Sequence, residues 1–277
     1  MSDARHQVVI AAALVALAGA VLGLTRFSRR GRPPAPPASA AAPAPRLEPL
    51  AADGWLVELE VPGFPSSPAA VPLGAAEPRP VVIALHGGDD RPEWACGTWT
   101  GISRSRAFVL CPRGKALTAD RFGWGARDEV ERELRAALKA LKARFGRHVA
   151  SGPVVLAAFG AGVRPALEIA RSEPTFFNRL ALVGAGQGLW SAGSAAVYAR
   201  SGGQRVLWVV SDAASREASG KYWLFANGAG LETKLRDLGD RGVVLDAEVA
   251  QGTAAEWPWL VAGDPLHAEP GGSGPPR

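Results

Sequence analysis

The sequence predicts an open, mostly parallel α/β sheet with helices on both faces. Three observations carry that prediction. Short, continuous apolar runs recur along the chain, among them Val81–Leu85, Val154–Phe159, Leu180–Val183 and Val206–Val210. Segments of helical periodicity alternate with them. Two of the runs end in small-residue turns, His86-Gly87-Gly88 and Gly160-Ala161-Gly162. A run that is apolar at every residue suits a strand covered on both faces, which is what a parallel sheet between helix layers needs.

Each element has its own signature. Trp55–Val61 (WLVELEV) alternates apolar and charged residues, as a half-buried strand does. Val81–Leu85 (VVIAL) is the first continuous run, and Phe108–Cys111 is a second that stops at Pro112. One short helical connection lies between them. The clearest helix runs from Asp128 to Phe145, with Val130, Leu134, Ala137, Leu138, Leu141 and Phe145 on one face. Asp128 is placed to cap its start and Gly146 to end it. Val154–Phe159 then leads through the glycine turn into a helix over Val163–Arg171. Later come the runs Leu180–Val183 and Val206–Val210, a helix within Ala218–Leu238, a strand over Val243–Val249 and a short helix near Ala254–Ala262. No internal repeat is present.

The ends of the chain read differently. Val8–Leu24 is 17 consecutive apolar or small residues, at the short limit of a membrane-spanning helix. Ala18-Gly19-Ala20 permits the alternative of a cleaved signal peptide, and the arginine cluster close behind the span favours an uncleaved anchor. Residues 32–49 hold seven prolines among alanines, the composition of an extended stalk. The expected organisation is therefore an anchor or signal segment over 1–31, a linker over 32–53, a folded domain over 54–263 and a loose tail over 264–277.

Charge is distributed to match. The 277 residues carry a formal net charge of +5, but the first 50 contain six arginines against two acids. The remainder is nearly neutral, with 25 basic and 24 acidic residues, so the basic total does not point to nucleic acid. The arginines behind the span favour a cytoplasmic folded part by the positive-inside tendency. The only two cysteines, Cys96 and Cys111, suit a disulfide in an exported domain, with two buried thiols as the alternative. Those two cues conflict, and the sequence leaves the membrane side open.

From Leu56 to Gly263 the chain resembles the α/β-hydrolase superfamily, in particular small secreted esterases and polyester-depolymerase-like hydrolases. The resemblance rests on Leu85-His86-Gly87-Gly88 after an early strand, Cys111-Pro112-Arg113-Gly114 after the next, and the strand–turn–helix around Gly160. It implies a Ser–acid–His triad in that chain order, with the serine at the centre of G-x-S-x-G. Here the pentad is Ala158-Phe159-Gly160-Ala161-Gly162, so the central residue has no side chain. Asp212 matches the acid position. Thr253 is the expected occupant of the vacated histidine position, in the loop after the last strand. The four histidines are His6, His86, His148 and His267, and only His267 follows Asp212. A hydroxyl without a base is a poor nucleophile at neutral pH.

Other features of that site are expected to survive. His86, Gly87, Gly88 and Ala161 would supply an oxyanion hole or carboxylate site, with the alternative that HGG only turns the chain off its strand. Trp94, Trp99 and Trp124 would border the mouth of the pocket or else pack in the core. Arg113 and Lys115 are placed to favour anions or simply to face solvent. Neither cysteines nor histidines show metal-ligand spacing, and no cofactor is implied.

Three readings of function follow. In the first, a membrane-tethered protein of this fold binds a small ester, carboxylate or protein partner without hydrolysing it. In the second, an active carboxylester hydrolase uses an atypical nucleophile. In the third, the glycines hold a nucleotide. Against the third, Pro165 and Leu189 stand where the third glycine of G-x-G-x-x-G belongs.

Overall fold

The computed structural model describes residues 46–268. The apolar stretch 8–24, most of the proline-rich stalk and the tail beyond residue 268 lie outside the described residues. Among the described residues no helix is long and apolar enough to cross a membrane.

Eight strands form one sheet: β1 (Leu56–Leu59), β2 (Ser67–Ala70), β3 (Val81–Leu85), β4 (Phe108–Leu110), β7 (Val155–Phe159), β8 (Arg179–Val183), β9 (Arg205–Val210) and β10 (Glu232–Asp237). Their order is β1-β2-β4-β3-β7-β8-β9-β10, and the small pair β5 (Lys115–Ala116) and β6 (Phe122–Gly123) stands apart. β2 runs antiparallel to β1 and β4, and every other pairing is parallel. Six helices cover the sheet: α1 (Pro92–Ile102), α2 (Arg127–Phe145), α3 (Val163–Ser172), α4 (Ala192–Arg200), α5 (Ala213–Gly228) and α6 (Ala247–Val261).

The continuous apolar runs explain the two layers. Along β3, Val81, Ile83 and Leu85 join the core with α2 and α3, whereas Val82 and Ala84 join the core with α1 and α6. The same alternation recurs in β8, where Leu180 and Leu182 face one layer and Ala181 and Val183 the other. Small residues on the second face (Ala84, Ala157, Ala181) leave room for the large rings of Trp99 and Trp257, whose centroids lie 6.4 Å apart. On the other face the buried positions of α2 are those of its apolar stripe, and each fully buried leucine there contributes about 2 kcal/mol.

Three sequence expectations need correction. The last strand is β10 (ETKLRD), not Val243–Val249. β10 is an edge strand, and its alternating charges suit the exposed margin of a sheet better than the interior. The segment assigned to that strand is partly loop and partly the start of α6. Asp246 accepts the Val249 amide at 2.9 Å and turns the chain into a helix. The helix expected within Ala218–Leu238 ends at Gly228 and gives way to β10. The helix α2 starts behind Ala126 without a side-chain cap, and Asp128 sits in its first turn, where a carboxylate favours the helix dipole.

The ends of the domain also shift. Leu50, placed in the linker, is buried in the core, and the amides of Leu47 and Leu50 bond to Ala76 and Ala75. At the other end, Asp264 is buried and pairs with the equally buried Arg179 of β8 at 3.4 Å. His267 packs on Trp257, and burial pushes its pKa down to about 4. Residues 264–267 are therefore part of the fold rather than of a loose tail.

Cys96 and Cys111 form a disulfide with an S–S distance of 2.05 Å, joining α1 to the end of β4. Both residues are fully buried. The bond closes a 15-residue separation. Replacing both cysteines with alanine is expected to lower unfolding free energy by roughly 3 kcal/mol, read as a fall in the urea midpoint.

Candidate functional site

Strand order reverses between β3 and β7. From β3 the chain moves outward to β4, then crosses back over β3 to β7. The carboxyl ends of β3 and β7 flank this switch point, where open α/β sheets hold their ligands. His86-Gly87-Gly88 leaves β3 there and Gly160-Ala161-Gly162 leaves β7.

The elbow is very tight at its last residue. A β-carbon on Gly162 would stand 2.6 Å from the His86 carbonyl and 2.8 Å from that of Leu85, so only glycine lets α3 start this close to β3. The apex is open by contrast. Gly160 has φ +52°, and a β-carbon there would meet only the Gly87 Cα at 3.9 Å and the Val243 Cγ1 at 4.0 Å. The backbone thus has the left-handed turn and the free space that a nucleophilic side chain would use, with no side chain present.

Around the apex lies a cleft of about 510 Å³. Trp124, Ala161, Arg164, Glu168, Gln187 and Val243 are among its lining residues, which include no serine, threonine, cysteine or histidine. Val243 comes from the loop after β10, the last strand. Thr253 does not come near this position: it lies within α6, fully buried, its hydroxyl donating to the Val249 carbonyl at 2.7 Å. The error follows directly from the misplaced last strand.

Asp212 follows β9 at the sheet's carboxyl edge. Its neighbour Ser211 donates to the Gly242 carbonyl at 2.7 Å, which joins this turn to the loop carrying Val243. The Asp212 carboxylate itself caps α5, accepting the Ser215 amide at 2.9 Å and the Ser215 hydroxyl. The Asp212 oxygens are engaged within the start of its own helix.

The turn after β3 is largely committed to its own structure. His86 is fully buried, with Nδ1 at 2.7 Å from the Gly87 carbonyl and Nε2 at 2.8 Å from the Arg113 carbonyl. Its carbonyl accepts the Trp124 indole N–H at 2.9 Å, and the two rings stack at 4.5 Å. His86 is a brace rather than a ligand. The Gly87 amide donates to Asp90 Oδ2 at 3.1 Å, so it too is spoken for. Gly88 and Ala161 are both exposed and adjoin each other: a β-carbon on Gly88 would lie 3.2 Å from that of Ala161. Of the expected oxyanion residues, these two remain at the surface of the site.

The tryptophans divide. Trp124 lines the cleft. Trp99 is fully buried on the inner face of α1 and does not line the cleft. Trp94 is exposed, lies under the guanidinium groups of Arg91 and Arg121, and is not among the lining residues. Arg113 is a clamp: it pairs with Glu58 at 2.7 Å and Glu93 at 2.6 Å, and its Nε donates to the Ser66 carbonyl.

Sequence reasoning missed Glu133, Arg164 and Val243. Glu133 is a buried carboxyl on α2 that accepts the Gly114 amide at 2.9 Å and so fixes the turn after β4. Burial raises its pKa, partly opposed by the Gly114 and Arg113 amides. Its place among the apolar positions of α2 was the only available signal. Arg164 and Val243 carry no motif, and only the fold brings them to the apex.

Two outcomes follow. Gly160→Ala should cost about 1–2 kcal/mol from backbone strain alone, whereas Gly162→Ala should cost clearly more because a carbonyl blocks the β-carbon; urea midpoints separate them. Because the folded state holds the Glu133 proton more tightly than the unfolded state does, stability falls as pH rises from the ordinary carboxylate range toward the raised value. Glu133→Gln should remove that fall, seen as a flatter difference in melting temperature between pH 4.5 and pH 8.

No protein-family model and no curated protein sequence matches the chain. Solved structures do. One is a dienelactone hydrolase-like promiscuous phosphotriesterase from metagenomic libraries, at 17% identity and TM-score 0.57, covering 74% of this chain and 97% of that one. The S-formylglutathione hydrolase of Agrobacterium tumefaciens gives 13% identity and TM-score 0.55, over 74% and 93%. A Bacillus cereus carboxylesterase gives 15% identity and TM-score 0.50, over 66% and 89%. At such identities the likeness is one of architecture, and with this strand order and elbow it means that residues 46–268 adopt the α/β-hydrolase fold.

Proposed function

We propose that this protein is a membrane-tethered member of the α/β-hydrolase fold whose cleft binds an ester- or carboxylate-bearing ligand without hydrolysing it. The observation that carries the proposal is the pairing of Gly160 at the apex with Val243 beside it. In esterases of this fold the apex supplies an oxygen nucleophile and the loop after the last strand supplies an imidazole. Glycine and valine offer neither. Without a nucleophile and base, an exposed amide pair polarises a carbonyl but gives it nothing to react with.

Of the polar side chains lining the cleft, Arg164, Glu168 and Gln187, Arg164 is the one that suits an anion. Arg164 is exposed on the first turn of α3 and lines the cleft beside Ala161, near the positive end of the helix. Trp124 and Leu189 supply apolar walls. Residues 8–24 provide the tether in this reading.

The test is chemical. Purified protein should resist labelling by a fluorophosphonate probe and leave a panel of short acyl esters at the background rate. Stoichiometric labelling at one site, or turnover above background, would overturn the proposal and favour an esterase with an unusual nucleophile. Short carboxylates should bind saturably, and Arg164→Gln should weaken them about tenfold, the loss of one charge-assisted hydrogen bond. Gly160→Ser alone should remain inactive. Adding Val243→His and Ser215→Ala, which supplies a base and releases one contact on Asp212, should raise ester hydrolysis about 10²-fold over the single variant. No gain would mean that Val243 does not occupy the base position.

A further inference from the structure

Large apolar side chains exposed on a soluble surface are individually ordinary, and a contiguous set calls for an explanation. Among the described residues, Trp55, Leu73, Trp94 and Leu117 are each about half exposed. They can be traced as one strip. The Leu117 amide bonds to Arg121, whose guanidinium lies 5.4 Å from the Trp94 ring centroid. Trp94 and Gly97 are one turn apart on α1, and the Trp55 ring sits over Gly97, 3.8 Å from where a β-carbon would be. Trp55 accepts the Val71 amide, and Val71 accepts that of Leu73. The remaining large exposed apolar residues lie on α4, α5 and β10 or in the cleft.

Two further features point to what covers this strip. Gly74, next to Leu73, donates to the Leu50 carbonyl, so the first described residues of the domain run along its end. Residues 1–45, which contain the apolar stretch 8–24, precede Arg46 in the sequence. The side-chain chemistry is also particular. Trp94 carries Arg91 and Arg121 against its ring, at 5.2 and 5.4 Å. Arg91 also pairs with Asp120, and Arg121 donates to the Asp89 carbonyl at 3.2 Å; an indole ring under guanidinium groups suits the polar headgroup layer of a bilayer. The disulfide through Cys96 holds α1 beneath the strip as a rigid support.

We propose that the strip Trp55–Leu73–Trp94–Leu117 is a bilayer-contacting face that seats the folded domain on a phospholipid surface, with Trp55 and Trp94 in the headgroup region. The proposal rests on the tethered reading above, because the tether supplies the high local concentration that a strip this small needs. It does not depend on the state of the cleft.

The experiment uses the full chain with vesicles of phosphatidylcholine and phosphatidylglycerol, part of the phosphatidylcholine brominated on its acyl chains. Residues 1–45 contain no tryptophan, so indole quenching reports only on the folded part. Flotation should carry the chain with the vesicles, and bromolipid should quench its emission. Trp55→Phe with Trp94→Phe should abolish at least two thirds of that quenching, whereas Trp124→Phe should leave it intact. Flotation with no quenching, or quenching that survives in the double variant, would overturn the face and leave the tether standing. Failure to float would remove both. Shielding of Trp55 and Trp94 from acrylamide in lipid-free dimers, with no bromolipid quenching, would assign the strip to a second copy of the chain and overturn the proposal. Near-UV circular dichroism matching the parent chain would show that the variants are folded.

Discussion

The arrangement of this domain turns on one close approach, that of Gly162 to the His86 carbonyl. The start of α3 presses against the turn leaving β3, and no β-carbon fits between them. Once that contact is made, much of the rest follows. The preceding residue is held at the surface, Gly160 is forced into a left-handed turn, and Gly88 is brought against Ala161. His86 is sealed underneath, braced by Arg113 and covered by Trp124. The elbow is thus a packing solution first, and it persists whether or not a reactive group occupies its apex.

This separation of scaffold from reagent accounts for the character of the cleft. The carboxylates at the strand ends are engaged internally: Asp90 holds Gly87 after β3, Glu133 holds Gly114 after β4, and Asp212 holds Ser215 after β9. What is left facing outward is backbone at Gly88 and Ala161, the side chains of Arg164, Glu168 and Gln187, and apolar walls. Fold alone assigns no chemistry, and here the residues at the apex restrict it.

Much of the architecture was legible because central parallel strands are written in unbroken apolar runs. Val81–Leu85 was bounded correctly, and Val155–Phe159, Arg179–Val183 and Arg205–Val210 to within one residue. The margins were not. β2 (SPAA) has no branched residues, and β10 is charged because it lies on an edge, so neither carries the interior signature. Missing β10 moved the last strand into the α6 region and took the expected base position to Thr253. Gly160 and Asp212 could be placed behind their strands from local pattern. Val243 could not, since it is defined only by the loop it shares with Gly242 and by its distance from Gly160.

The pair formed by Arg179 and Asp264 has a bearing on how the end of the described chain is held. Arg179 opens a central strand, yet the carboxylate that neutralises it lies 85 positions later, almost at the end of the described chain. A guanidinium enclosed in an apolar interior without its counter-ion is strongly unfavourable. Here the segment that encloses Arg179 also supplies the Leu260 carbonyl and the counter-ion Asp264, so burial and neutralisation of the charge come together and tie the last described turn to the middle of the sheet.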